Sequence, residues 1–129
     1  MRSATHKLFE VKDRIPHFAE VTVQLQAGSG RISVSSEAFS WLREEHGPRT
    51  AISGYGYDDF RIKAQRGAAF AISALGSTSS YPDVEVSRIV FSNVDTSSDD
   101  VALATCRAVW DALGMEYRNH PGLGDTWPE

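Results

Sequence analysis

The sequence predicts an α+β fold: an antiparallel or mixed sheet with helices packed on one face. Three observations carry that expectation. Val21, Val23 and Leu25, then Ile32 and Val34, alternate with polar residues at the period of a half-buried strand. Two later stretches, Asp58 to Leu75 and about Asp99 to Leu113, repeat apolar residues at helical spacing. Between them Val84 to Phe91 is rich in valine and isoleucine, as strands are. The order is then strand pair, helices, strand, helix, which an α+β sandwich accommodates.

Taken in chain order, residues 1–17 are polar and charged, with Leu8, Phe9 and Val11 marking a short strand. They are expected to be an N-terminal segment ahead of one domain over 18–114. The stretch AGSG, residues 27–30, supplies turn residues between two alternating runs, which predicts a β-hairpin. Ser36 can cap a short helix over Glu37 to Glu45, stopped by His46, Gly47 and Pro48. In the next helix Phe60, Ala64, Ala68, Ala71, Ile72 and Leu75 fall on one side, and Gly67 among alanines suggests a close approach to another element. Gly76 is a stop signal. Thr96 or Ser97 can cap the last helix, since Asp99 or Asp100 follows three residues on in capping-box register. Gly114 stands at its C′ position. Residues 115–129, with two prolines and two glycines, have the chemistry of a tail that Trp127 can pin to the domain.

Composition narrows the function classes. At 129 residues the chain has the length of one ordinary domain with a single core. Hydrophobic residues at 41% and charged residues at 23% are globular proportions, which argues against disorder. Thirteen Lys and Arg against seventeen Asp and Glu leave a net charge of −4, unlike the basic domain or stripe of a general nucleic-acid binder. A single cysteine, Cys106, cannot form an internal disulfide and fits a reducing compartment. With no leader-like start and no long apolar run, a cytoplasmic location and no membrane partner are expected.

Catalytic constellations are hard to find. His6, His17, His46 and His120 are scattered, with no H-E-x-x-H or C-x-x-C spacing, so no metal cofactor is expected. There is no G-x-S-x-G elbow. Cys106 falls on the core side of a helix, where cysteine acts as a small hydrophobe. Asp58 and Asp59, like Asp99 and Asp100, fall in first helical turns, where negative charge suits the helix dipole.

Residues 54–60, GYGYDDF, pose the sharpest question. A phosphate cradle needs free N–H groups at a helix start, often followed by lysine, whereas two acids stand here. Glycines with access to positive φ, then helix-favouring acids, describe a turn that launches a helix. Tyr55 and Tyr57 are left over as a contact pair, unless one of them packs in the core. Arg31, Arg49 and Arg61 are the basic residues expected near that loop. Arg61, Lys63 and Arg66 together read as a solvated helix face more readily than as a nucleic-acid stripe.

SNVDTSSDDVALATCRAVWDAL, residues 92–113, has a strand end, an Asp-Ser-Ser-like turn and an Ala-rich helix. With VEVSRIVF before it, EVTVQL and AISGYGYDDF in place, residues 18–114 resemble the fourth domain of elongation factor G and related translational GTPases. The resemblance implies the fold of ribosomal protein S5 domain 2, with a left-handed βαβ crossover. In that family a Gly-rich loop and a Gly-Gly-Val-Ile-Pro-like loop form the tip that reaches the decoding region and transfer RNA. Here AGSG is short, GYGYD lacks the Ile-Pro, and no phosphate loop is present. GTP hydrolysis is therefore not carried over, and neither a cofactor nor GTP is expected. Two classes of non-catalytic binding module fit: one touching the ribosome or another RNA, and an acidic module that binds a protein, such as an immunity-type or regulatory inhibitor of a basic partner.

Overall fold

The computed structural model describes residues 1–52, 56–76 and 80–127. Among these the elements follow as β1 (Arg2–Lys12), β2 (Ile15–Ala27), β3 (Ile32–Val34), α1 (Trp41–His46), α2 (Tyr57–Ser73), β4 (Pro82–Val90) and α3 (Ser98–Leu113). The strands form one mixed sheet in the order β1-β2-β4-β3. β2 runs antiparallel to both β1 and β4, and β3 lies parallel to β4. The fold is α+β, as expected.

The expected hairpin across AGSG does not form, because β4 lies between β2 and β3. Asp83, near the start of β4, fastens the loop that makes the crossing. Its Oδ1 accepts the N–H groups of Ser29 at 3.0 Å and Arg31 at 2.9 Å, which holds the loop over the end of β4. Gly28 leaves room for this carboxylate, since a Cβ there would come within 2.1 Å of the Asp83 carboxyl carbon and displace it from these bonds. These N–H groups, Arg31 first and then Ser29, hold the Asp83 carboxyl below its usual range. A depressed folded-state pKa contributes stability above the unfolded value of about 4, and that contribution is lost as pH falls through the folded value. Thermal melts are therefore expected to lose more on acidification for the wild type than for Asp83→Asn. Parallel acid profiles for the two would remove Asp83 as the loop's anchor.

The hairpin that does form joins β1 to β2. Asp13 and Arg14 occupy positive φ values of 52° and 67°, the two-residue turn that matches strand twist. β1 pairs with β2 along its whole length, from Arg2 opposite Leu25 to Lys12 opposite Ile15. The N-terminal segment is thus an edge strand, and a boundary at residue 18 falls inside β2.

One face of the sheet is covered. Ala19, Val21, Val23 and Leu25 of β2 and Val84, Val86 and Ile89 of β4 are buried. The step from Val86 to Ile89 breaks strict alternation, and a register shift opposite Thr22/Val23 absorbs it, so that Ile89 still points inward. α3 lies over β1 and β2, α2 reaches β3 and β4, and the two helices pack together. Val21, Val23, Leu25, Ile72, Ile89 and Val109 join one buried cluster, with Ile32, Val34, Leu75 and Leu113 at its margin rather than fully buried. The other face carries Thr5, Thr22, Gln24, Glu85 and Arg88 and is open; Thr5 and Thr22 share a hydroxyl hydrogen bond of 2.8 Å across it.

The helix ends follow the local chemistry in α3. Ser97 accepts the Asp100 N–H at 3.1 Å and Asp100 accepts the Ser97 N–H at 3.0 Å, and Gly114 adopts φ 68° at the C-terminal end. α1 starts later than the expected Glu37, at Trp41, because turns occupy the preceding residues and the Trp41 indole donates to the Ile89 carbonyl at 2.7 Å. Trp127 does pin the tail: it is 1% exposed. No helix among the described residues is long and apolar enough to cross a membrane.

Candidate binding surface

β4 pairs only with Glu20–Ala27 of β2. Residues 8–12 and 15–19 therefore continue past the sheet as a two-stranded ribbon about 17 Å long at the usual rise per residue. Its inner side is held down: Leu8 and Ala19 are buried, and His17 Nδ1 lies 2.8 Å from Asp100 Oδ1. The capping carboxylate of α3 thus also fastens the ribbon. On the outer side Phe9 packs edge-on against Phe18 at 6.0 Å yet stays 67% exposed.

The loop from β4 to α3 lies alongside. The Phe18 N–H donates to the Asp95 carbonyl at 3.0 Å, and the Ser92 N–H to Thr96 Oγ1 at 2.8 Å. That loop carries Val94, which is 90% exposed. Of the seven large apolar side chains exposed among the described residues, four (Phe9, Val11, Ile15 and Val94) gather at this one end. Scattered apolar residues need no explanation, but a group does. Lys7, Lys12, Arg14 and Arg88 stand there with Glu10, Asp13, Glu20 and Asp95, so the charges balance.

The described part of GYGYDDF, from Gly56 on, reaches the same end. Gly56, at φ 92°, leads into α2, and Asp58 and Asp59 stand in the first turn, Asp59 exposed. Tyr57 is half-buried, its ring 5.1 Å from Phe39 and 5.9 Å from Phe91. A cleft of about 240 Å³ opens between Tyr57, Phe60, Phe91 and Asn93. Tyr55 lies outside the described residues. Tyr57 is mainly a packing residue with one edge at the surface.

The expected basic cluster is dispersed. Arg61 donates to the carbonyls of Ser35 at 2.7 Å and Ile52 at 3.2 Å, with its guanidinium 5.0 Å over the Phe39 ring. It clamps the segment around α1 rather than facing a ligand. Arg31 stands before β3 and Ser35 after it, so the strand separates Arg31 from the Arg61 clamp. Arg49 is exposed. Lys63 corrects the expected solvated face, for it is buried, 3.0 Å from Asp99 Oδ1 and 3.3 Å from the Trp127 carbonyl.

A polar cluster invisible to sequence spacing joins β1, α3 and the tail. The Tyr117 hydroxyl donates to Asp111 Oδ1 at 2.8 Å, and His6 Nδ1 lies 3.2 Å from Asp111 Oδ2. Arg107 stacks 5.4 Å over Tyr117 and reaches Glu10 at 3.2 Å. Burial first, then the Asp111 hydrogen bond, pushes the Tyr117 hydroxyl up to about 12. It stays a protonated donor, suited to fastening the tail rather than to proton abstraction. Only the residue types gave a signal in sequence, since residues 6, 111 and 117 meet through the tertiary fold. Cys106 is fully buried, and desolvation pushes its thiol up to about 12, far from a thiolate nucleophile. Among the described residues no group of three or more His, Cys, Asp or Glu is placed to hold a metal ion.

These features define an α+β domain with an open sheet face and a projecting ribbon. No protein-family model and no curated protein matches the chain. Among solved structures it is similar to the crystal structure of a protein from Thermus thermophilus, with a TM-score of 0.61 and 12% identity over 88% of this chain. This chain spans 16% of the length of that one. At that identity the likeness is one of fold.

Proposed function

We propose that the protein is a non-catalytic binding module that presents the ribbon end to a protein partner. The observation that carries it is the gathering of Phe9, Val11, Ile15 and Val94 at one end. Exposed apolar side chains with balanced charges suit a protein surface, which offers apolar contact and both signs of charge. A phosphate backbone would instead demand an excess of cations. The net charge of −4 agrees with a partner that is not nucleic acid.

A second reading, contact with the ribosome or another RNA, draws on the resemblance to the fourth domain of elongation factor G. The loop within residues 92–113, which carries much of that resemblance, lies at the ribbon end. The same resemblance adds the ribosomal protein S5 domain 2-like topology, in which the crossover from β3 to β4 is left-handed.

Photoreactive residues at positions 11 and 94 distinguish the two in cells that make the protein. Protein adducts at both, absent at exposed position 44 on α1, are expected. RNA adducts would favour the second reading. Adducts no more frequent than at position 44 would end both.

A further inference from the structure

β1 is a sheet edge of an unusual kind. It is eleven residues long, contains neither proline nor glycine, and pairs with β2 without any register shift. The opposite edge, β3, is only three residues long. Natural sheets blunt long edges with proline, bulges, lysine, inward charge or a covering element, because unpaired N–H and C=O groups template another strand. Of these β1 has Lys7 and the inward Glu10 but neither proline nor bulge.

The two-residue turn decides which groups are unpaired. Such a turn closes on a hydrogen-bonded pair, here Lys12 and Ile15, and alternate pairs bond in the same way. Glu10, Leu8, His6 and Ala4 therefore bond to β2. Ser3, Thr5, Lys7, Phe9 and Val11 send their backbone groups to the free edge, and among the described residues none of these groups bonds to another element. Their side chains stand on the open face, where Phe9 and Val11 are 67% and 64% exposed.

We infer that this edge takes β1 of a second copy of the chain, antiparallel, joining two four-stranded sheets into one. Self-complementarity selects the occupant. With Leu8 opposite Leu8 of the second copy, His6 faces Glu10, Lys7 faces Phe9 and Thr5 faces Val11. The Lys7 stem then lies along an aromatic ring and Glu10 meets an imidazole. Phe9 also comes diagonal to Phe9 of the second copy, about 7–8 Å away. The Phe18–Phe9 pair would thus continue across the junction. Neighbouring registers are worse: one sets Lys7 against Lys7, the other His6 against Lys12 and Glu10 against Leu8. Like charges directly opposite are destabilising.

The inference goes beyond the partner reading and fails separately from it, since adducts at position 94 do not depend on β1 pairing. Light scattering across a concentration series is expected to show the solution mass doubling. Thr5→Pro removes an N–H that faces the free edge and leaves the β1–β2 ladder intact, so it should remain monomeric with an unchanged circular dichroism spectrum. Backbone amides of Thr5, Lys7, Phe9 and Val11 should become protected from exchange as wild-type concentration rises. A wild type that stays monomeric throughout overturns the inference, as does a folded Thr5→Pro variant that dimerises equally well. If that variant does not fold, exchange in the wild type decides: these four amides exchanging at loop rates at every concentration overturn it too.

Discussion

Gly67→Ala is expected to destabilise the protein by about 3 kcal/mol, the upper end of the usual overpacking cost. In an exposed helix the same change would stabilise by nearly 1 kcal/mol, because alanine is the better helix former. Here the sign reverses. Gly67 is buried where α2 crosses α3, and a Cβ at this position would stand 2.2 Å from the Ala102 carbonyl oxygen and 3.0 Å from its Cα. Those are backbone atoms of a helix held by the sheet, α2 and the tail, so no rotamer change relieves the clash. The helices must separate, and the close contacts of Ala64, Ala68 and Ala71 loosen with them. Urea denaturation checks this against Gln65→Ala, an exposed neighbour on the same helix that should change little. A Gly67→Ala variant as stable as the wild type would mean that the helices do not approach this closely.

Trp127→Ala should cost about 4 kcal/mol, the usual loss for emptying a buried aromatic site. The ring packs 5.2 Å from Phe70 and stacks on His120 at 6.4 Å, beneath the tail. The effect reaches further than the cavity. The Trp127 backbone N–H donates to Asp99 Oδ1 at 3.0 Å, and the Lys63 ammonium bonds both that carboxylate and the Trp127 carbonyl. Losing the ring frees the chain end and opens a buried ion pair to water. Residues 115–126 should then be cleaved by protease faster than in the wild type. Trp127→Phe should lose less than half as much, since the indole Nε1 has no hydrogen-bond partner among the described residues to forfeit. Equal losses for the two variants would show that the indole's full volume, not its aromatic contact, holds the tail.

The elements that periodicity announces are those whose burial is decided locally. β2 and β4 alternate because one face of each meets the helices, and Ser97, Asp100 and Gly114 bound α3 through bonds within a few residues. β1 was legible only as a short strand at Leu8, Phe9 and Val11, not as an eleven-residue edge, because its pattern is inverted. Phe9 and Val11 stand on the open face, while His6 and Glu10 face the helices, where Asp111 and Arg107 meet them from α3. A strand whose polar side chains find partners about a hundred residues away cannot be told from a solvated segment by its own spacing.

The candidate surface divides in the same way. Tyr57 and Arg61 were legible as residues of interest, but their aromatic and carbonyl partners turn them into packing and clamping groups. Phe9, Val11, Ile15 and Val94 reach one end of the molecule because Phe18 draws the loop from β4 to α3 against the ribbon, with Phe9 and Val11 on its outer side and Ile15 on its inner side. The sequence by itself determined the α+β class, the caps of α3 and the apolar residues of the core, since each depends on near neighbours and on hydrophobic period. Tertiary structure alone decided the strand order, in which β4 pairs with both β2 and β3 while Asp83 holds the crossing loop, and the ribbon end, because both rest on contacts between residues far apart in the chain.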